Sequence, residues 1–175
     1  MSIHRRALLL GAGASLGALG VAPARAEGER FIWTRNTFGE EVATAYRTGM
    51  DYDGMALGRL RRLLRDRYVG AEGPLPPLLI DVLSVLQERW GYARPLMVLS
   101  GFRTALTNSM LEGAAPASLH LRGLAVDVRV PGMPINELGL AAWTMSQQLN
   151  LMGIGLYRDF VHIDIGPRRA WTRFG

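Results

Sequence analysis

The residues best suited to chemistry are two histidines that stand near carboxylates. His120 precedes Asp127 by seven residues, and His162 lies between Asp159 and Asp164. A catalytic zinc ion commonly takes three nitrogen or oxygen ligands and keeps a fourth position for water. Two imidazoles and one carboxylate fit, and the metal would lower the pKa of its water to about 7. The pattern favours hydrolysis of an amide bond; the alternative is that each histidine is an ordinary half-buried residue paired with a neighbouring acid.

Two short strands are expected to carry these side chains. Residues 124–130 alternate between aliphatic side chains and a mixed set that contains Asp127, which is typical of a strand with one buried face. His162 lies in a second predicted strand, residues 160–165. The Asp127 side chain is expected on the mixed face of its strand.

The remaining pattern predicts an α+β domain in which a small, mostly antiparallel sheet is flanked by helices. Further strands are expected at residues 31–36, 42–47, 96–99 and 153–157, the first two forming a hairpin across a turn at Gly39. Apolar residues at helical spacing predict helices at 55–68, 78–90 and 136–149. After the turn at residues 100–103, a short helix through Met110 is expected. Asn136 is expected to cap the last of these helices.

The first 26 residues have the pattern of an export signal. Arg5 and Arg6 precede an uncharged stretch rich in glycine, alanine and leucine, and residues 24–26 form a small-x-small cleavage site. Paired arginines with a glycine-diluted apolar stretch resemble a twin-arginine signal, which exports folded proteins. We therefore expect residues 27–175 to form one periplasmic domain that is not stably inserted in the membrane; an uncleaved anchor is the alternative.

Composition excludes several other chemistries. Cysteine is absent, so disulfides and thiolates make no contribution. All 20 basic residues are arginines and three of them lie in the leader, so the mature net charge is +5 − 3 = +2. The high pI of about 10.4 partly reflects the leader and the missing lysines, so nucleic acid is not an expected partner. We expect a monomer.

Three segments give the chain a specific resemblance to a known family. They are residues 100–103 with Thr107 and Asn108 following, residues 118–127, and residues 159–164. In these segments the chain resembles the murein endopeptidase K (YcbK-like) group of the lysostaphin, D-Ala-D-Ala peptidase and hedgehog superfamily of zinc metallopeptidases. The resemblance covers nearly the whole mature chain.

This resemblance implies roles for the two histidines, for Asp127 and for Asp159. His120, Asp127 and His162 would hold one zinc ion per chain. Asp159, three residues before the last histidine, would be the general base, where many D-Ala-D-Ala peptidases have the longer glutamate. Positions three apart on a regular strand face opposite ways, so Asp159 reaches the metal water only if the chain bends just after it. Asp164 is the alternative, either as the base or as the partner that orients His162.

The resemblance also places polar residues near the substrate. Arg103 matches the family's arginine that faces the substrate carbonyl or carboxylate, and its planar donor fork suits either group. Ser118 and Asn108 would contact substrate, or they are turn-forming residues.

The expected function is that of a zinc-dependent murein endopeptidase. It would hydrolyse peptide cross-links of peptidoglycan, at D-Ala–diaminopimelate or diaminopimelate–diaminopimelate bonds, so that stem peptides are the expected partners. A carboxypeptidase that removes terminal D-Ala is an alternative, and it would need a closed cleft with a cation such as Arg103. A peptidoglycan-binding module without catalysis is another, and it would have a closed metal site.

Overall fold

The computed structural model describes residues 28–174, so the predicted leader lies outside the described residues. The strands are β1 (Glu29–Asn36), β2 (Glu41–Thr48), β3 (Asp51–Tyr52), β4 (Leu96–Ser100), β5 (Ala125–Arg129), β6 (Gly153–Tyr157), β7 (Val161–Asp164) and β8 (Arg169–Arg173). The helices are α1 (Gly54–Leu63), α2 (Pro77–Glu88), α3 (Ala105–Met110), a 3-10 helix (Leu119–Arg122) and α4 (Ile135–Leu149). Within residues 28–174, no helix combines the length and the hydropathy that a membrane span requires.

The strands of this region form one sheet in the order β3-β2-β1-β4-β5-β7-β6-β8. The pairs β1–β4 and β6–β8 are parallel, whereas the other five neighbouring pairs are antiparallel. The predicted hairpin is present as β1 and β2, and its turn is closed where Gly39 N donates to Asn36 O over 3.2 Å. The prediction of an α+β fold with a mostly antiparallel sheet is confirmed.

One apolar cluster lies between the sheet and the helices α1, α2 and α4. Val126 and Val128 of β5 and Ile163 of β7 belong to this cluster. Successive side chains of a strand point to opposite faces. The alternation therefore places Asp127 and His162 on the face of the sheet that is turned away from the core.

The register of the strands aligns the site residues in one row. Asp127 pairs with His162 of β7 on one side and with Ser100 of β4 on the other. His162 pairs with Gly155 of β6, which in turn pairs with Trp171 of β8. This transverse row crosses β4, β5, β7, β6 and β8. At a strand spacing of roughly 4.8 Å, it spans about 19 Å.

The first long helix is shorter than its apolar pattern predicts. It ends at Leu63 rather than near residue 68. The carbonyl oxygen of Leu64 accepts a hydrogen bond from Phe102 N over 2.8 Å, and the carboxylate of Asp66 accepts one from Tyr68 N over 2.9 Å. These bonds hold the following residues in a compact loop, because a polar side chain can take over backbone donors that a helix would use.

The last helix begins differently from the prediction, which is wrong at its cap. Asn136 lies inside the first turn of α4, and the capping position is held by Pro134, which makes no side-chain capping bond. Proline reaches the extended conformation of a cap without a side-chain acceptor, here with a ψ of 142°. The sequence also gave no indication of β8, in which four of the five residues are exposed.

Gly123 provides a test of the backbone that precedes β5. Its φ is 65°, and a Cβ atom there would overlap the carbonyl oxygen of Pro74. We expect Gly123→Ala to lower the free energy of unfolding by about 1–3 kcal/mol through backbone strain alone. Urea unfolding would measure the loss.

Gly58 in α1 is the matched control, because nothing lies within 4 Å of the position of its missing Cβ. Gly58→Ala is expected to raise the free energy of unfolding by about 0.5–1 kcal/mol, since alanine is the better helix former. Equal unfolding midpoints for the two variants would contradict this account.

Candidate active site

Three side chains converge in the middle of the transverse row, and we name them the His-Asp-His cluster: His120, Asp127 and His162. His120 Nε2 lies 3.2 Å from Asp127 Oδ1 and 3.2 Å from His162 Nδ1. His162 Nδ1 lies 2.9 Å from the same Asp127 oxygen. Tetrahedral zinc with Zn–N bonds of about 2.0–2.1 Å separates its ligand atoms by about 3.3 Å. The three atoms therefore have the spacing of ligands to one ion, and these residues could hold a metal.

The second nitrogen of each imidazole is occupied by an acceptor. His120 Nδ1 lies 2.6 Å from the carbonyl oxygen of Gly101, and His162 Nε2 lies 3.1 Å from Asp164 Oδ2. An N–H that donates to such an acceptor leaves the lone pair on the other ring nitrogen. Two imidazole lone pairs and a carboxylate oxygen then face one another, an arrangement that requires a cation or a proton between them. The donor set fits a metal ion on this ground.

Ionisation within the cluster is uneven. Burial lowers the pKa of His120. Burial also disfavours the charged form of His162, but hydrogen bonds to Asp127 and Asp164 outweigh it and raise the pKa of His162. For Asp127, the charge and hydrogen bonds of the two histidines overcome burial and hold its pKa well below the ordinary value. A metal must displace a proton from such a site, so metal binding is expected to weaken as the pH falls.

The 3-10 helix places His120 against the end of β4. The Ser118 hydroxyl caps this helix by accepting from His120 N over 3.4 Å, and Arg103 N donates to His120 O over 3.1 Å. Gly123, in the left-handed conformation, ends the turn before β5. Ser118 thus has a structural role in the short helix that carries His120, and it also lines the cleft around the cluster.

Asp164 is fully buried behind His162. Besides the imidazole, its carboxylate accepts from Gly153 N over 3.1 Å, from Gly166 N over 2.8 Å and from Arg169 Nη2 over 2.6 Å. Burial opposes the charge, but the bonds from His162 and Gly166 and the charge of Arg169 lower the pKa of Asp164. The contacts are those of the orienting partner, which is one of the two roles predicted for this residue.

Glycines of β6 allow side chains from the two neighbouring strands to meet. A Cβ at Gly153 would overlap the Asp164–Arg169 ion pair, which crosses β6 at that point. A Cβ at Gly155 would overlap the indole of Trp171. The indole reaches the cluster as a result, with its ring centroid 5.3 Å from the imidazole on β7. Small residues on β6 are therefore a condition for the packing around the cluster.

Arg103 lies on the β4 side of the cluster and is tied to it. Its Nη2 donates to Asp127 Oδ2, while Asp127 Oδ1 faces the two histidines. Its Nε donates to Ser100 Oγ over 2.8 Å. Arg103 thus fixes the rotation of the carboxylate, a contact that the resemblance did not indicate. Its predicted contact with the substrate stays a prediction, and the residue does line the cleft.

The cluster lies in a cleft of about 890 Å³. Its lining includes Ser100, Asp127, His162 and Trp171 of the transverse row, together with Arg67, Tyr68, Phe102, Tyr157 and Phe160. The segment between α3 and the 3-10 helix forms a further side. The cleft therefore extends along the transverse row on both sides of the cluster.

Asn108 does not line this cleft. It is buried, and its Nδ2 donates to the carbonyl oxygen of Ala115 over 3.0 Å. Ala115 belongs to the segment that forms one side of the cleft. The amide of Asn108 therefore supports a cleft wall from behind, and its predicted contact with substrate stays a prediction.

Asp159 lies with Arg158 in the tight turn between β6 and β7, which is closed where Tyr157 N donates to Phe160 O over 3.1 Å. The chain therefore bends where the assignment of Asp159 as base requires a bend. Asp159 is exposed, however, and the lining on this side comes from Tyr157 and Phe160, whose stacked rings are 4.4 Å apart. Its catalytic role stays a prediction. Sequence reasoning missed Glu112, an exposed carboxylate that does line the cleft.

The fold and the site define a class of protein. A metal-type cluster of two imidazoles and one carboxylate, set in a cleft on the polar face of an α+β sheet, is the arrangement of a metal-dependent hydrolase. The family described as peptidoglycan L,D-endopeptidase MepK matches residues 25–171, and the chain belongs to this peptidase family. The resemblance stated from the sequence, and with it the prediction of a peptidase, is confirmed.

Three relatives agree with this membership. The chain is 31% identical to peptidoglycan L,D-endopeptidase MepK of Escherichia coli (strain K12) over 180 residues, which cover 96% of this chain and 97% of the relative. The protein of the same name from Shigella flexneri has the same identity and coverage. Probable peptidoglycan L,D-endopeptidase MepK of Haemophilus influenzae is 29% identical over 150 residues, 81% of this chain and 78% of the relative.

The bond between Asp164 and His162 can be tested by its effect on metal affinity. Asp164→Asn removes the charge that holds the His162 ring and is expected to weaken zinc binding roughly 10- to 100-fold. Competition with a chromophoric chelator would measure the affinity. Arg169→Gln, at a more exposed position that pairs with Asp164, is expected to act in the same direction with a smaller effect.

Asp81→Asn is the control, because Asp81 bonds to Tyr46 and Tyr52, away from the cluster. Its zinc affinity should equal that of the unmodified protein. An unchanged affinity in folded Asp164→Asn would contradict the orienting role.

Proposed function

We propose that this chain is a zinc-dependent murein endopeptidase that hydrolyses peptide cross-links of peptidoglycan. The observation that carries the proposal is the His-Asp-His cluster, with ligand-type spacing, inside a cleft large enough for a peptide. The names of the relatives, which specify peptidoglycan and an L,D bond, support the substrate and favour a cross-link of that configuration.

Zinc is the proposed metal because its preferred ligands and geometry match the cluster. Two imidazoles, one carboxylate and an open fourth position are typical of catalytic zinc sites. When bound, the ion would activate a water molecule and polarise the scissile carbonyl group. His120 and His162 would bind it through the nitrogens that face Asp127, while Gly101 and Asp164 keep the rings in place.

The remaining steps belong to side chains of the cleft. A carboxylate has to accept the proton of the attacking water and deliver it to the leaving amine. The family resemblance assigns this to Asp159, whereas the lining of the cleft offers Glu112. Arg103 would keep Asp127 oriented through Nη2 and direct further donors towards the substrate carbonyl.

The extent of the cleft favours cleavage within a chain over removal of a terminal residue. Lining residues lie on both sides of the cluster, with Phe102 on one side and Trp171 on the other. A peptide laid along the transverse row would pass over the cluster with residues on both sides of the scissile bond. An endopeptidase requires this geometry, while a carboxypeptidase requires a closed end.

Residues 1–26 are proposed to direct export through the twin-arginine route and to be removed. The paired Arg5 and Arg6 and the small residues at 24–26 support this proposal. The mature protein would then act as a monomer in the periplasm, where its substrate lies.

Digestion of purified sacculi tests the proposed function. Zinc-loaded protein is expected to convert cross-linked muropeptides to uncross-linked ones, and a chelator should abolish the conversion. His120→Ala should lose zinc and activity together, whereas Asp81→Asn should keep both. Chromatography of the muropeptides is the measurement. Release of free D-Ala with intact cross-links would instead identify a carboxypeptidase, and zinc binding without any turnover would identify a binding module.

The assignment of the base has its own test. Asp159→Asn is expected to retain zinc and to lose at least about 100-fold in kcat, since general base catalysis typically contributes that much or more. Glu112→Gln is the matched comparison, because it also neutralises an exposed carboxylate near the cleft. Full activity in Asp159→Asn with a loss in Glu112→Gln would transfer the role to Glu112.

A further inference from the structure

The cleft is lined by more cations than the proposed chemistry uses. They are Arg67, Arg103, Arg169 and Arg173. Arg103 and Arg169 form ion pairs with Asp127 and Asp164. Arg173 Nη1 donates to a backbone carbonyl of the neighbouring cleft wall over 3.0 Å. Arg67 remains, and in the described part of the chain its side chain forms no ion pair with a carboxylate.

Arg67 lies in a loop that hydrogen bonds to the buried Asp66 hold in place. The neighbouring Asp66 is fully buried, and its carboxylate accepts from Tyr68 N and from both the backbone N and the hydroxyl of Thr104 over 2.8–2.9 Å. Gly70 N donates to Asp66 O over 2.9 Å and closes the loop. Burial disfavours the charged form of Asp66, but hydrogen bonds from Thr107, Thr104 and Tyr68 outweigh it and lower the pKa of Asp66 to about 2, so the carboxylate that holds the loop is ionised at neutral pH.

The guanidinium of Arg67 is held at the cleft by its neighbour. Its Nη2 donates to the Tyr68 hydroxyl over 2.7 Å, and its Cζ lies 4.7 Å from the centroid of the Tyr68 ring. An arginine has five N–H donors, so this bond leaves most of the fork available. Such a fork binds a carboxylate through two parallel hydrogen bonds.

A second cation lines the same cleft. Arg103 lies there as well, where its Nη2 donates to Asp127. Two guanidinium groups that line one cleft form a favourable site for an anion. The carboxylate of Asp127 compensates Arg103 only, because its other oxygen faces the histidines.

We propose that Arg67 binds a free carboxylate of the substrate peptide on the β4 side of the His-Asp-His cluster, and thereby selects peptides that carry an acidic group near the scissile bond. The inference rests on the proposed function. Diaminopimelate fits this chemistry, because it has two carboxyl groups and keeps one free when the other is in a peptide bond. Arg67 is a specificity residue that touches substrate away from the reacting atoms.

Two cross-linked peptides that differ at one group provide the test: one has a free diaminopimelate carboxylate near the scissile bond, and the other has a carboxamide there. Loss of one charge-assisted hydrogen bond corresponds to roughly a 10- to 100-fold change. The unmodified, zinc-loaded protein is expected to show a KM higher by that factor for the carboxamide, with a similar kcat. Arg67→Gln should raise the KM for the carboxylate peptide and remove the discrimination, because uniform binding changes KM alone.

Arg62→Gln is the control, since Arg62 is an exposed residue of α1 that does not line the cleft. It removes the same charge nearby and should keep the discrimination. Equal KM values for the two peptides with the unmodified protein would overturn the inference and leave the proposed function intact. An equal loss on both peptides in Arg67→Gln would also overturn it. Failure to cleave either peptide would overturn the proposed function, and the inference with it.

Discussion

The arrangement of the candidate metal site depends on the orientation of two imidazole rings. His120 and His162 can share an ion with Asp127 only if the lone pairs of the correct nitrogens face it. A backbone acceptor at Gly101 and a buried carboxylate at Asp164 impose this by taking the opposite N–H groups. Because a buried donor without a partner costs roughly 1–3 kcal/mol, turning either ring over would be penalised twice, once at each nitrogen. The local chain around the cluster is arranged to keep these two acceptors in place.

The acceptors in turn depend on the close approach of backbones and side chains. Gly101 has no Cβ where one would overlap the carbonyl oxygen of Leu64, so the chain after β4 can pass close to the end of α1. Gly153 and Gly155 leave space above β6, which allows Arg169 to reach across the sheet to its partner on β7. A larger residue at Gly153 would collide with the ion pair between Asp164 and Arg169, and one at Gly155 would collide with Trp171. Glycine is required at these positions because it leaves space for these side chains.

The sequence was sufficient for those features that follow from local alternation. The pattern of residues 124–130 placed Asp127 on the face opposite the aliphatic side chains, and His162 was predicted to lie in a short strand. Both are buried in one row. The face of a strand is set by neighbours two residues away. Which residues share the transverse row, in contrast, depends on the register between strands that are distant along the chain. A local sequence pattern does not determine that register.

Strand β8 and the loop after α1 were not predicted correctly, because tertiary contacts determine both. Strand β8 pairs in parallel with β6 at the edge of the sheet and has an exposed, charged sequence, so no apolar alternation marks it. The loop after α1 continues an apolar helical pattern, but the buried Asp66 takes its backbone donors. In this loop a single polar side chain with long-range partners at Thr104 outweighs the periodicity. Predicting it would require knowledge of the tertiary contact itself.

Arg103 shows how one side chain can meet a structural requirement and keep donors available for a substrate. Family resemblance places it opposite the substrate, whereas its contacts here are with Asp127 and Ser100. The two uses are compatible because the contacts take one N–H of Nη2 and that of Nε, while a guanidinium carries five N–H donors in one plane. The carboxylate fixes the plane of the fork, and the unused donors at Nη1 then keep a constant direction within the cleft. An arginine fixed in this way loses little side-chain entropy when it donates to a substrate oxygen. The ion pair that orients the Asp127 carboxylate therefore also prepares the group that would meet the substrate.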